Sequence, residues 1–345
     1  MTDVNWLALA IGAPLVLVMT LATRTVARRR GWMHQPGPDR IHAKPVPRLG
    51  GVAMYAAFVV VALVVAYPYD LALAGLLGGA TVIVAVMVVD DIRGLRPRDK
   101  FLAQLVAAAI PLACGIRIDA VSNPFGGVID LPLVIVVPFT LFWIVGMMNA
   151  INFTDGQDGL AGGVSTIAAL VLVVLSSRLG LPDVATLALA LAAVSLGFLP
   201  LNFYPASIIM GDSGSHFLGF SLAVIAILGP AKIATAMLVL GVPILEVAWS
   251  IVRRVAQGGS MSTRDTRHLH HRLWEAGLAQ PVVAVFYYVV AGGLGVIALL
   301  VERVNKVYAF VGLMGLLLVL LLVLARLPRR RLIGQPAEPT RAAER

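Results

Sequence analysis

Runs of about 20 apolar residues recur along the whole chain, and that is the length a helix needs to cross the hydrocarbon core of a bilayer. No other feature constrains the fold as strongly. In lipid every backbone N–H and C=O must be satisfied within the segment, so such runs can only be helices. The reading is all-α: a polytopic transmembrane helical bundle of about eleven spans. Their approximate limits are 5–23, 49–67, 71–89, 100–116, 132–150, 160–178, 184–203, 214–229, 233–252, 281–301 and 307–325. Composition agrees, with 59% of the 345 residues hydrophobic and 13% charged, against about 25% charged in soluble domains. No loop is long enough for a separate soluble domain. Residues 1–325 are therefore expected to form one integral membrane domain, and 326–345 a basic tail that is disordered beyond its start. The first run lacks a cleavage-site pattern and reads as a span. The lone Cys114 lies in an apolar run, which excludes a disulfide framework.

Charge orients the bundle. Placing the N-terminus outside turns segments 24–48, 90–100, 151–159, 204–213, 253–280 and 326–345 to the cytoplasm. They then hold 22 of the 27 Lys and Arg residues, as the positive-inside rule requires. The C-terminus is then cytoplasmic. The net charge of +9 becomes a basic inner surface facing anionic lipid headgroups. No basic-aromatic module supports nucleic-acid binding.

The acidic residues sort onto the same face. Asp90 and Asp91 end the third span. In "NAINFTDGQDG", Asn149, Asn152, Asp155 and Asp158 follow at three-residue intervals where the fifth span ends. Asn202 and Asp212 flank the loop before the eighth span, and His268, His270, His271 and Arg272 lie in the longest inner loop. Any one of these could be a helix cap, a turn or a solvated charge. Four clusters on one face of a membrane point to a site. Carboxylates from several loops suit Mg²⁺, which keeps part of its shell for water and phosphate oxygens. Lys44, Lys100 and Arg272 are available as phosphate partners. The histidines are too close together for a usual zinc site. An ion- or sugar-coupled transporter is the competing reading, but transporters hold their carboxylates near the midplane. Here only Glu246 lies within a span.

Five blocks carry a resemblance to a known family: "RIHAKPVPRLGG" (40–51), "DDIRGLRPRDKFLAQ" (90–104), "NAINFTDGQDGLAGG" (149–163), "MGDSGSHFLGF" (210–220) and "DTRHLHHRL" (265–273). In content and order the chain resembles the polyprenyl-phosphate N-acetylhexosamine-1-phosphate transferases, which include the phospho-MurNAc-pentapeptide translocase. The resemblance implies attack of a lipid phosphate, such as undecaprenyl phosphate, on the β-phosphate of a UDP-amino sugar, releasing UMP. It implies a Mg²⁺ cofactor, with Mn²⁺ as a substitute, and leaves a homodimer open. It assigns Asp212 as Mg²⁺ ligand, and Asp90 and Asp91 to acceptor deprotonation or metal contact. Asn152, Asp155 and Asp158 become the nucleotide- and metal-proximal set, Asn202 a uridine contact, and Lys44 and Lys100 basic residues lining the site. His268, His270, His271 and Arg272 would meet the donor's diphosphate and sugar. "HLHHRL" looks like the GlcNAc-type branch, with pentapeptide translocase activity as the alternative. Gln157 stands where the family usually has Leu or Ile, and its amide is expected to contribute polar contacts near the nucleotide.

Overall fold

A computed structural model describes residues 4–35, 45–66, 70–123, 127–229, 232–256, 269–301 and 303–326. Lys44, His268 and the tail from residue 327 lie outside the described residues, as do the side chains of His270 and His271. Helices dominate, in the order α1 (Leu7–Arg30), α2 (Gly50–Val65), α3 (Leu71–Arg93), α4 (Pro97–Ala113), α5 (Leu133–Thr154), α6 (Leu160–Arg178), α7 (Pro182–Asn202) and α8 (Gly211–Ile227). They continue as α9 (Lys232–Val239), α10 (Gly241–Ala256), α11 (Leu269–Glu275), α12 (Gln280–Leu300) and α13 (Arg303–Arg326). Each expected span meets a helix or helix pair. By length and composition six of them can cross a membrane, namely α1, α3, α5, α6, α7 and α12, and a seventh can if α9 and α10 count as one.

Two features depart from the sequence reading. The segment 233–252, expected as one straight span, is broken by an 80° bend between α9 and α10. Pro243 has no N–H to donate to the carbonyl of Val239, so the α9 ladder cannot continue through it. The expected all-helical chain also contains two short antiparallel hairpins. One pairs β1 (Met33–His34) with β2 (Val46–Pro47), and the other pairs β3 (Ala120–Ser122) with β4 (Val128–Asp130). The loops after α1 and α4 satisfy their backbone groups in this way, a demand that apolar periodicity does not reveal.

The bundle closes around α8. Of its residues only Asp212 and Ile227 escape full burial. It packs against α5, α3 and α2, while α6 and α7 pair with each other and α7 with α1. Entry into α8 is held by backbone pairing: Ile209 donates to Pro47 O at 2.9 Å, Gly50 to Ile209 O at 3.0 Å and Gly51 to Met210 O at 2.9 Å. There α2 and α8 cross at Gly51 and Gly214. A Cβ on Gly51 would lie 2.1 Å from the Gly214 nitrogen, so the crossing requires glycine.

Helix ends set the geometry that matters. Asp70 caps α3, accepting from the Leu73 amide at 2.7 Å. Gly94, with φ +73°, reverses the chain after α3, and Pro97 starts α4 with a fixed φ. This tight hairpin brings the C-terminal end of α3 beside the N-terminal end of α4. The start of α8 joins them, so the 90–104 and 210–220 blocks meet at one end of the bundle.

Candidate active site

Asp90, Asp91 and Asp212 offer carboxylate oxygens that all lie within 4.8 Å of one another. The adjacent aspartates do different things. Successive helical residues point about 100° apart, so Asp91 turns toward α8 and Asp90 toward α4. Both oxygens of Asp91 are engaged. Oδ1 accepts from the Asp212 amide at 2.9 Å, and Oδ2 from the Ser213 amide at 3.1 Å and the Ser213 hydroxyl at 2.7 Å. Asp91 thus caps the first turn of α8 from a neighbouring helix, satisfying amides that a helix leaves unpaired. The Arg48 guanidinium lies 3.6 Å away and partly balances its charge. Gly211, with φ +75°, makes room: a Cβ there would lie 2.5 Å from Asp91 Oδ2.

Asp90 Oδ1 accepts the Leu95 amide at 2.7 Å, closing the α3–α4 turn. Its Oδ2 meets the Lys100 ammonium at 2.6 Å, and the same ammonium is 2.7 Å from Asp212 Oδ2. One cation therefore already bridges Asp90 and Asp212. That bridge tests the fit of a metal: hard oxygen donors, two of them converging on a positive charge, with a third carboxylate adjacent. The set suits Mg²⁺ or Mn²⁺ and lacks the soft donors that would favour other metals.

The remaining candidates flank this centre. Asn152, at the end of α5, donates to Ser215 Oγ at 2.9 Å, on the same turn of α8 as Asp212. Asp155 follows α5. Burial pushes its carboxyl well above the ordinary range, the negative charges of Asp212 and Asp91 add to the shift, and Arg48 opposes it. Asp158 is buried and accepts the Ala206 amide at 2.9 Å. Asn202 is 2% exposed; its oxygen accepts from Gly159 N at 3.2 Å and its nitrogen donates to Ile208 O at 3.1 Å. Both of its amide groups thus have backbone partners, and it ties the loop of Asp158 to the approach into α8. Gln157 is buried and donates to the backbone oxygen of Gln280, where α12 begins. It does not face water.

Arg272 lies on α11. Glu246 holds that helix in place, its Oε1 accepting the Leu269 amide at 2.9 Å and the Tyr287 hydroxyl at 2.6 Å. Several site-forming residues had no role in the sequence reading: Arg48, Ser213, Ser215, Gln104 and His216. All five lie inside the quoted blocks, so block membership was their available signal.

A helical membrane protein with carboxylates and a lysine gathered at the ends of three helices is built for chemistry on a phosphate-bearing substrate. Residues 73–230 match the glycosyl transferase family 4. The chain is 34% identical over 281 residues to the "Probable undecaprenyl-phosphate N-acetylglucosaminyl 1-phosphate transferase" of Bacillus subtilis, covering 80% of this chain and 78% of that protein. It is 33% identical over 323 residues to the decaprenyl-phosphate N-acetylglucosaminephosphotransferase of Mycobacterium tuberculosis, covering 82% and 79%. A phospho-N-acetylmuramoyl-pentapeptide-transferase of Staphylococcus carnosus matches at 32% over 285 residues, covering 74% and 86%. The chain belongs to glycosyl transferase family 4, among its polyprenyl-phosphate N-acetylhexosamine-1-phosphate transferases.

Proposed function

We propose that this protein transfers N-acetylglucosamine 1-phosphate from UDP-N-acetylglucosamine to a polyprenyl phosphate. The products are a polyprenyl diphosphate-linked sugar and UMP, the first membrane step of a cell-envelope glycan. The observation that carries the reaction class is the cluster of Asp90, Asp212 and Lys100 at the bundle end. The GlcNAc donor is supported by the names of the Bacillus and Mycobacterium relatives, which match over more of this chain than the pentapeptide transferase does. Family membership favours a transferase over a coupled transporter.

In this reading an oxygen of the lipid phosphate attacks the donor's β-phosphorus. The bond from that phosphorus to the bridging oxygen breaks, and UMP leaves with the electron pair. A phosphate monoester is largely ionised at pH 7, its second pKa being about 6, so no strong base is needed. Catalysis is then mostly alignment and charge neutralisation. Asp212 and Asp90 would hold Mg²⁺, and a bound cation would favour ionisation of Asp155 nearby. A bound Mg²⁺ supplies neutralisation of the diphosphate and of charge developing on the leaving UMP. Lys100 and Arg48 offer cationic hydrogen bonds to phosphate oxygens. Asp91 holds the start of α8 and so aims Asp212. Asn152 orients the same turn through Ser215. His270, His271 and Arg272, with Lys44 and His268, are the candidate contacts to the donor's diphosphate and sugar.

We place the site at the cytoplasmic face of the inner membrane, within a single catalytic domain of residues 1–325. The eleven spans rest on the apolar runs, and an outside N-terminus with an inside C-terminus on the charge asymmetry. The test is purified protein with undecaprenyl phosphate, Mg²⁺ and a panel of UDP-sugars. UMP should form with UDP-N-acetylglucosamine only when lipid and metal are both present. Release with UDP-MurNAc-pentapeptide alone would transfer the assignment to the pentapeptide branch.

A further inference from the structure

Beneath the acidic cluster lies a polar layer that the transfer chemistry leaves unused. His216 is 1% exposed and Gln104 3%. His216 Nδ1 lies 2.8 Å from the Asp212 carbonyl oxygen. A carbonyl only accepts, so Nδ1 carries the proton and, in the neutral ring, Nε2 accepts. Gln104 Nε2 donates to it at 2.9 Å. The Gln104 oxygen then faces Asn149, whose Nδ2 donates to it at 3.0 Å and also to Val145 O at 2.8 Å. One tautomer and one pair of amide orientations satisfy the whole chain of contacts.

Spacing gives this layer its meaning. Gln104 follows Lys100 by four residues on α4. His216 follows Asp212 by four on α8. Asn149 precedes Asn152 by three on α5. Residues three or four apart share a helix face. Each member of the layer therefore lies one turn deeper than a site residue, on that residue's own side of its helix. Apolar helix contacts tolerate small slides and rotations, because they are not directional. Hydrogen bonds are directional, and here they join α4, α5 and α8 at a single level.

We propose that His216, Gln104 and Asn149 are positioning residues, a brace that fixes the relative height and rotation of Lys100, Asp212 and Asn152. The inference rests on the reading of Asp212 and Asp90 as metal ligands. Without the brace the two carboxylates and the ammonium no longer converge at 2.6 and 2.7 Å, and cation binding weakens before donor binding does.

The test uses His216→Met, Gln104→Met and their double variant in the full-length protein. Thr140→Val is the control. Thr140 is buried and accepts the Ile118 amide at 3.0 Å, but it lies 12 residues from Asn152 on α5, about 18 Å along the helix. Mn²⁺ binding to the purified protein is read by electron paramagnetic resonance, beside thermal melting and steady-state kinetics. Each brace variant should bind Mn²⁺ about tenfold more weakly, the lower end of what lost outer-shell partners cost. The half-saturating Mg²⁺ should rise in step, while KM for the UDP-sugar at saturating Mg²⁺ stays unchanged. The double variant should be no worse than the worse single one. Thr140→Val should melt earlier and bind Mn²⁺ as the wild type does. Where His216→Met does not accumulate, Asn149→Leu carries the same expectation. Brace variants that melt early yet keep wild-type Mn²⁺ affinity would overturn the brace alone. A wild type that releases UMP without binding Mn²⁺ would overturn the metal reading and the brace together.

Discussion

Replacing Asp91 separates a scaffold from a ligand. Asp91→Ala removes the acceptor of two buried amides, those of Asp212 and Ser213. Leaving a buried donor unpaired costs about 1–3 kcal/mol, so the pair together costs about 2–6 kcal/mol by the same principle. The Ser213 hydroxyl escapes this penalty, because it can turn to Met210 O, already 3.4 Å away. Asp91→Asn should cost less, since its single amide oxygen can still accept while its NH₂ faces a donor. Asp212→Asn should behave in the opposite way. It removes one of two carboxylates that share a single ammonium, and leaves the Lys100–Asp90 pair intact. The expectation is a melting temperature lowered by several degrees for Asp91→Ala, less for Asp91→Asn, and unchanged or raised for Asp212→Asn. Thermal unfolding in detergent without added metal reads this directly. An Asp91→Ala protein that melts like the wild type but has lost Mn²⁺ binding would refute the assignment and make Asp91 a metal ligand.

Other expectations follow from the same geometry. Asp212→Asn should lose nearly all turnover while remaining folded, and Asp70→Asn, which keeps an N-cap on α3, should stay active; UMP release scores both. Gln157→Leu strands the Gln280 carbonyl contact but leaves the acidic cluster untouched, so it should lower melting temperature and alter donor KM without abolishing kcat, as donor titrations would show. Raising pH should lower the half-saturating Mg²⁺, because a cation binds ionised Asp155; a Mg²⁺ requirement that is flat with pH would count against its proximity to the metal. The sign for stability is the reverse. A carboxyl raised in the folded state contributes stability that is present below its ordinary pKa and is lost as pH rises through the raised one, so the metal-free protein should weaken with rising pH. Finally, Ser262→Cys should be shielded from an impermeant external reagent in intact cells, and labelling there would invert the topology.

That Asp90, Asp212 and Lys100 lie at span ends on one face was legible in the sequence. Each sits at the end of an apolar run, and runs of bilayer length force their ends to one surface or the other. The difference between Asp90 and Asp91 was not legible. Neighbouring identical residues part company only when the helix rotates one toward α4 and the other toward α8. Asn202 was expected at the uridine; that its two amide groups meet the backbone at Gly159 and Ile208 was not legible. Which partner a buried amide finds depends on loops that periodicity does not specify. The break between α9 and α10 did have a signal, Gly241 and Pro243 within an apolar run. The brace had one too, in the spacing of Gln104 and His216 from charged residues four positions earlier, but spacing alone cannot tell which helices will face each other.

The central claim is a particular bond cleavage, and labelled donor tests it most directly. UDP-N-acetylglucosamine carrying ³²P at the β-position is incubated with the protein, undecaprenyl phosphate and Mg²⁺, and the products are separated into lipid and nucleotide. Transfer of the sugar 1-phosphate places the label in the lipid fraction, with one unlabelled UMP for each labelled lipid. Label recovered in UDP, with an unlabelled sugar on the lipid, would mean that the sugar moves without its phosphate, and would contradict the account.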